Sequence, residues 1–338
     1  MSEDLSKKLE SESEGFGDAV SWLMDSKKIP VTRLNCRLLQ NKGVELWVAR
    51  LDQVDPLISG NKWFKLKYNL VEALDQRASH IVSFGGAYSN HLHALAAACY
   101  RLGLKSTAVL RGELVSPLNP TLSDCESWGM SFLPVTRAEY REKTSPSFIQ
   151  RLHEQLGMFY MVPEGGSNAL AVKGMSEVVA TILKSVGSFD YLCCAVGSGG
   201  TLSGLVAGAG SSIKCVGYSA IKGGQYVQGD IQALLDQYQE GLNRPVDVAL
   251  CDAGKGFEIV HDYHFGGFAR VQPELLNFMK WFECRFDIPL EHVYTAKMLY
   301  GIFDQIKLGC FERGQRIVAL HTGGLQGRRG MDSALLSL

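Results

Sequence analysis

The sequence predicts an α/β protein of two joined domains, with mainly parallel open sheets flanked by helices. Three observations point there. Short apolar runs alternate with segments whose apolar positions recur at helical spacing, and Gly-containing turns link them, the pattern of parallel strands with helical crossovers. At 338 residues the chain exceeds what one simple core usually organises. Its 36 glycines and 46% hydrophobic residues are the composition of a globular protein whose buried strands meet tight turns.

Residues 1–18 are polar and acid-rich, so they read as frayed or loosely helical and not as a signal or transit peptide. Val44 to Ala49 is the first clear strand. Arg50 to Gly60 is a loop, with Asp52, Asp55, Pro56 and Gly60 as its breakers. Leu66, Leu70, Val71, Ala73 and Leu74 then recur at helical spacing between Lys65 and Ala78, which puts Lys62 at or just before a helix start. Strand Ile81 to Phe84, turn Gly85-Gly86, an Ala-rich helix from Ser89 to Leu102, strand Thr107 to Leu110, a helix near Leu118 to Trp128 and strand Met130 to Leu133 follow. Residues 65–165 form the expected smaller domain, and 1–64 with 166–338 the larger.

Pro163 to Asn168 marks the return to the larger domain, followed by a helix from Leu170 to Lys184 and a strand from Tyr191 to Val196. Gly197 to Thr201 is a loop into a helix from Leu202 to Ala209, and Cys215 to Ser219 is the next strand. A helix from Ile231 to Tyr238, a strand from Val246 to Leu250 and a helix from Pro273 to Cys284 come next. A last helix runs to Lys307, and strand Ile317 to Leu320 leads into His321-Thr322-Gly323-Gly324.

A net charge near -1, from 34 basic and 35 acidic residues, leaves no electrostatic footprint for nucleic acid or an anionic membrane. No apolar run approaches the ~20 residues of a membrane helix. Nine cysteines without a C-x-x-C pair argue against a disulfide framework or a zinc site, and suit a reducing cytoplasm. A small neutral or zwitterionic partner fits best.

The chemistry centres on Lys62, set among Gly60, Asn61, Trp63, Phe64 and Leu66. Such surroundings strip hydration from an amine and make it easier to deprotonate, so that it can attack an aldehyde, although most lysines are solvated surface charges. Gly197-Ser198-Gly199-Gly200-Thr201 lies between an apolar strand and a helix, where converging N–H groups and a helix start can hold a phosphate. A tight turn of structural use is the alternative. A dinucleotide fingerprint needs glycine where Leu202 stands, and a Walker loop needs a lysine that is missing. A monophosphate remains. Pyridoxal phosphate carries both the phosphate and the aldehyde.

Gly85-Gly86-Ala87-Tyr88-Ser89-Asn90-His91 offers hydroxyl, amide and N–H groups at a strand-to-helix junction, against the simpler reading that Ser89 caps the helix. Tyr294-Thr295 and Thr322-Gly323-Gly324 complete the set, with a core tyrosine as the alternative for Tyr294.

In order, the motifs G-N-K-x-x-K-L, G-G-x-x-S-N-H, G-G-S-N, G-S-G-G-T, V-Y-T-x-K and H-T-G-G resemble those of the 1-aminocyclopropane-1-carboxylate deaminase / D-cysteine desulfhydrase family of fold-type II pyridoxal-phosphate enzymes, over about residues 30–330. The resemblance implies a tryptophan-synthase-β-like fold, a homodimer and the cofactor in the cleft between domains. It makes Lys62 the lysine that binds the cofactor aldehyde, with Asn90 on its phenolic oxygen and Gly197, Ser198, Gly199, Gly200 and Thr201 on its phosphate. Ser89 would meet the substrate carboxylate, with Asn90 and His91 completing that loop. Tyr294 would sit against the substrate carbon or near the ring, and Thr322, with Thr295 close by, would face the pyridine nitrogen.

In this family the cyclopropane-acid deaminases carry Glu and Leu where this chain has Thr295 and Thr322, whereas the D-cysteine desulfhydrases carry Thr at both. The resemblance therefore leans to D-cysteine, converted to pyruvate, hydrogen sulfide and ammonia. Cyclopropane-acid deamination, another eliminase or racemase activity on a small amino acid, and a cofactor-binding protein without turnover are the alternatives. Two departures stand out. Phe64 replaces the arginine often found two residues after the lysine, and Phe268, in the substrate region, has a ring without the hydroxyl of the family's second tyrosine.

Overall fold

Alternating apolar runs and amphipathic segments fold into two sheets wrapped by helices, of six and four strands. The structure is a computed structural model and describes residues 17–242 and 256–331. The first half of the chain gives α1 (17–24), β1 (Val31–Arg33), α2 (Arg37–Lys42), β2 (Glu45–Arg50), α3 (Asn61–Asp75), β3 (His80–Gly85), α4 (Asn90–Leu102) and β4 (Lys105–Arg111). Next come α5 (Pro120–Ser127), β5 (Met130–Val135), α6 (Arg137–Arg141), α7 (Pro146–Leu156) and β6 (Tyr160–Val162). The second half gives α8 (Ala169–Val186), β7 (Tyr191–Val196), α9 (Gly200–Ala209), β8 (Lys214–Ser219), α10 (Val227–Leu242), β9 (Phe257–Val260), α11 (Pro273–Phe286), α12 (Thr295–Leu308) and β10 (Arg316–His321).

The larger sheet has the order β1-β2-β10-β7-β8-β9 and the smaller β5-β4-β3-β6. Every pair is parallel except β1 with β2, where Val31 faces Ala49 across an antiparallel edge. Because the strands run the same way, the carboxyl ends of β2, β7 and β10 share one rim of the larger sheet. Those of β3, β4, β5 and β6 share one rim of the smaller. In open parallel sheets such rims are where ligands bind.

Local chemistry sets the helix limits. Asn119, Ser145 and Asn168 accept backbone N–H groups at the starts of α5, α7 and α8, with Pro120 and Pro146 in the first turns of α5 and α7. Thr136 and Glu139 form a capping box on α6. The largest core cluster joins Leu66 and Leu70 of α3 to Leu92 of α4, Val178 of α8 and Leu205 of α9, so it runs beneath both sheets. Among the described residues no helix is long and apolar enough to cross a membrane.

Several features depart from the expectations. β1, α2, α6, α7, β6 and β9 are additional elements; three-residue strands such as Tyr160–Val162 are too short to show a period. Gly200 and Thr201 are the first residues of α9, not the end of a loop. The expected domain break at residue 65 falls inside α3, which is continuous from Asn61 and packs chiefly on α8. The approach is close enough that a Cβ on Gly174 would meet the Phe64 carbonyl. The expected strand Val246 to Leu250 and the first 16 residues lie outside the described residues.

Candidate active site

Gly60, with φ 78°, turns the chain into α3 where any Cβ would strike the Thr322 carbonyl. The Asn61 N–H donates to that same carbonyl at 3.2 Å, which pins the start of α3 to the end of β10. One residue later, Lys62 Nζ donates to Asn61 Oδ1 at 3.1 Å, and Asn61 Nδ2 donates to Thr201 Oγ1 at 2.6 Å. Asn61 thus ties the lysine to the first turn of α9. Burial lowers the Lys62 amine from 10.5 to about 8, against the opposing pull of the Glu291 carboxylate. A substantial neutral fraction near pH 7.5 follows.

Between β7 and α9, Gly199 adopts φ 79°, and no side chain caps the helix. The first-turn N–H groups are therefore free for a ligand. Ser198 Oγ lies 2.7 Å from Ser167 Oγ, which accepts Lys65 Nζ at 2.8 Å. Lys65 is 1% exposed, and among the described residues no carboxylate pairs with it. Burial, and then the charge on Lys62, push its pKa well below 10.5. A Cβ on Gly200 would stand 2.7 Å from Ser167 Oγ and 3.0 Å from Lys65 Nζ, so the glycine keeps this cradle open. A buried amine without a counter-ion, two hydroxyls and a bare helix start fit one phosphate.

On the opposite rim, Ser89 caps α4 by accepting the Leu92 N–H at 3.2 Å. Asn90 faces the end of β10: its Oδ1 accepts Gln326 Nε2 at 2.7 Å, and its amide abuts Gly324. His91 lies elsewhere. It is 2% exposed, behind Gly166, with Nε2 2.8 Å from Ser83 Oγ, whose own proton goes to the Val162 carbonyl. Burial and the two lysines lower its pKa well below 6.5, so it stays neutral and supports the loop from beneath.

The Tyr294 ring lies over Gly197, where a Cβ would stand 3.2 Å from the phenol oxygen, and Phe268 meets it edge-on at 5.9 Å between centroids. Burial, Glu291 and Glu164 raise the Tyr294 phenol above its usual 10. Phe268 is 52% exposed. Thr295 is fully buried, and its hydroxyl accepts the Glu291 N–H at 3.1 Å and faces the Glu291 carbonyl at 3.2 Å. It is thus engaged in its own turn rather than free to face a ring nitrogen. Thr322 is only half-buried, at the carboxyl end of β10.

The geometry thus gathers Lys62, Gly197 to Thr201, Asn90, Tyr294 and Thr322 around one cleft and leaves His91 and Thr295 behind its walls. It also adds residues that the sequence reading did not single out. Lys65 belongs to the G-N-K-x-x-K-L run and lies one helical turn from Lys62, a spacing that was the available signal. Ser167 lies in the G-G-S-N run. Glu291 is 2% exposed and accepts the N–H groups of Val293, Tyr294 and Thr295 at 2.5–2.7 Å; no sequence pattern marks it.

Parallel sheets that present a partly desolvated lysine beside a single-phosphate cradle define the class of pyridoxal-phosphate enzymes with this open-sheet fold. Residues 26–323 match the family described as pyridoxal-phosphate dependent enzyme. The bifunctional D-cysteine desulfhydrase/1-aminocyclopropane-1-carboxylate deaminase of Arabidopsis thaliana is 31% identical over 318 residues, spanning 88% of this chain and 76% of that one. The D-cysteine desulfhydrase of Klebsiella pneumoniae is 25% identical over 301 residues, spanning 85% and 89%. A solved structure described as an ACC deaminase homologue superposes with a TM-score of 0.79 at 26% identity, covering 94% of this chain and 98% of that one. The chain belongs to the fold-type II pyridoxal-phosphate dependent enzymes, in the 1-aminocyclopropane-1-carboxylate deaminase / D-cysteine desulfhydrase family.

Proposed function

We propose that the chain catalyses α,β-elimination of a small amino acid, with D-cysteine and water giving pyruvate, hydrogen sulfide and ammonia. The observation that carries this reading is the Lys62 amine, lowered to about 8 and tied through Asn61 to the phosphate cradle. Lys62 would bind the cofactor aldehyde. Gly197 to Thr201, Ser167 and Lys65 would hold the phosphate, and Asn90 and Thr322 would line the ring. Bound there, pyridoxal phosphate supplies an electron sink for the bond broken at the substrate Cα.

Lys62, neutral in part near pH 7.5, is suited to take the α-proton. Tyr294 is suited to the complementary step: its raised pKa keeps the phenol protonated, so it can donate to the departing sulfur. The choice of D-cysteine is supported by the wall around Thr322. Thr322 stands where the family's deaminases carry Leu; Thr295, where they carry Glu, brings no carboxylate and lies behind the wall, and the nearby Glu291 carboxylate is committed to three N–H groups of its own turn. A sink without a charged acid at the ring nitrogen suits a good leaving group.

Deamination of 1-aminocyclopropane-1-carboxylate to 2-oxobutyrate is the second reading, favoured by the bifunctional name of the Arabidopsis thaliana relative. Cofactor-loaded protein assayed on both substrates decides. Sulfide from D-cysteine without 2-oxobutyrate from the cyclopropane acid is the expected result, and the reverse overturns the choice. Colour without turnover of any amino acid would instead indicate a binding protein. The eight cysteines among the described residues are all free, which suits the reducing cytoplasm we infer; a homodimer is the assembly the family suggests.

A further inference from the structure

Over the carboxyl rim of the smaller sheet lies a cavity of about 440 Å³ lined by Arg111, Arg137, Tyr140, Arg141, Lys143 and Glu164. Three of the four rim strands lead to it. β4 ends in Arg111, β5 leads into α6 with Arg137, Tyr140 and Arg141, and β6 leads through Pro163 to Glu164. Four cations thus face one carboxylate. Glu164 is held by Lys143 at 3.3 Å, and among the described residues the three arginines make no ion pair.

Among its lining residues is Tyr140, 3% exposed, whose hydroxyl has no hydrogen-bond partner among the described residues. Its ring packs edge-on against Phe84, with Lys143 and Arg111 over it at 4.9 and 5.7 Å. Burial, and then the nearby Glu164 carboxylate, raise the phenol's pKa, yet hydroxyl and carboxylate stand outside hydrogen-bonding geometry. A buried donor without an acceptor is costly, and converging guanidinium groups are the side chains that recognise planar or tetrahedral oxyanions. The cavity is therefore built for an acceptor that carries negative charge.

Two of its lining residues adjoin loops of the catalytic cleft. The Arg111 guanidinium stands 3.5 Å from where a Cβ on Gly86 would project, in the loop that leads to Ser89. Glu164 begins the turn in which a Cβ on Gly165 would stand 2.8 Å from Ser198 Oγ of the phosphate cradle. Glu164 also contributes to raising the Tyr294 phenol.

We propose that this cavity is an oxyanion subsite opening onto the cleft, which takes the carboxylate, sulfonate or phosphate of a substrate side chain or the same group as a free ion. The substrate-borne case rests on the eliminase reading; the site itself does not. It would make acid-bearing amino acids better ligands than neutral ones of equal size.

Aspartate and asparagine, tested as inhibitors of whichever amino acid the cofactor-loaded enzyme turns over, separate charge from shape. Inorganic phosphate, titrated by calorimetry into the same protein, reports the free ion. The variant is R137Q/R141Q, both exposed side chains outside the catalytic set, with an unchanged melting temperature as the folding control. Aspartate inhibiting at least about tenfold more strongly than asparagine, with the advantage lost in the variant and basal turnover kept, supports a substrate-borne group. Phosphate binding lost in the variant without that advantage supports a free ion. Phosphate binding lost in a protein that turns over nothing sinks the eliminase reading and keeps the site. An aspartate-to-asparagine ratio near one, with phosphate binding absent or unchanged in the variant, overturns the proposal.

Discussion

Lys65 Nζ donates to Ser167 Oγ across 2.8 Å, and this pair joins the second turn of α3 to the segment that leads into α8. The hydroxyl gives the amine a hydrogen bond but no charge compensation, so folding leaves a desolvated amine whose protonated form a phosphate would favour. Replacing Lys65 by Met should raise the melting temperature of the cofactor-free protein. The same change should weaken cofactor binding roughly 10- to 100-fold, the range of a charge-assisted hydrogen bond. Thermal unfolding with and without pyridoxal phosphate checks both signs, and a variant that loses stability while keeping its cofactor affinity contradicts the assignment.

The Lys62 amine carries a pH signature in the cofactor-free protein. Its folded pKa, about 8, lies below the ordinary 10.5, so between those values the unfolded chain holds more of this proton than the folded one. Stability should therefore rise with pH across that window, and the Lys62→Met variant should lack this component. Raised tyrosine pKa values act in the opposite direction above pH 10, so the informative quantity is the difference between the two proteins from pH 8 to 10. The rate of cofactor uptake should climb over the same approach to pH 8, as the neutral amine is formed. In Lys62→Met no borohydride-fixed adduct should be found by mass spectrometry.

Gly200→Ala tests the cradle without disturbing its backbone. The position is the first residue of α9 and its backbone is open to alanine, yet the added methyl would stand 2.7 Å from Ser167 Oγ and displace that hydroxyl. Cofactor-free stability should hold while cofactor affinity falls by about tenfold or more. Equal affinities for variant and wild type in a fluorescence titration would show that the phosphate lies elsewhere.

What the sequence revealed, and what it hid, divides along chain distance. Tyr191 to Val196 reads as a buried strand because every position is apolar, and Lys62 and residues 197–201 stand out because their neighbours in sequence are also their neighbours in space. Glu291 shows a further limit: its N–H partners lie only two to four positions on, but they converge on its carboxylate through the turn that starts α12, and Gly324 comes close only in the fold. His91 follows Asn90 in the chain, but one step along a helix turns a side chain by about 100°. That turn carries it from the cleft rim to Ser83 of the sheet beneath. Lys65 was visible as a residue and invisible as a partner, since Ser167 is 102 positions away.

Thr295 and Thr322 look equivalent in sequence and differ in space. Thr295→Val removes a hydroxyl engaged with the Glu291 backbone and should cost about 1–2 kcal/mol of stability, with little change in kcat/KM. Thr322→Val removes a hydroxyl at the cleft and should lower kcat/KM with little loss of stability. Denaturant unfolding paired with steady-state kinetics on both variants separates the roles. A large kinetic defect in Thr295→Val at wild-type stability would restore it to the cofactor ring.

Tyr294 offers the sharpest test of the elimination step. Its phenol lies over Gly197 and stays protonated because burial and the charges of Glu291 and Glu164 raise its pKa. If it donates a proton to the departing group, the need for it depends on how basic that group is. Hydrosulfide is a good leaving group beside a carbon or hydroxide one, but it is far more basic than chloride and gains from a proton as it departs, whereas chloride leaves unaided. Tyr294→Phe should therefore lower kcat on D-cysteine roughly 10²-fold, within the range for one positioned proton donor, and change kcat on β-chloro-D-alanine only slightly. Cofactor affinity and KM should stay near wild type. If both substrates slow equally, the hydroxyl serves a step before the leaving group departs, and the α-proton assigned to Lys62 would have to be reconsidered.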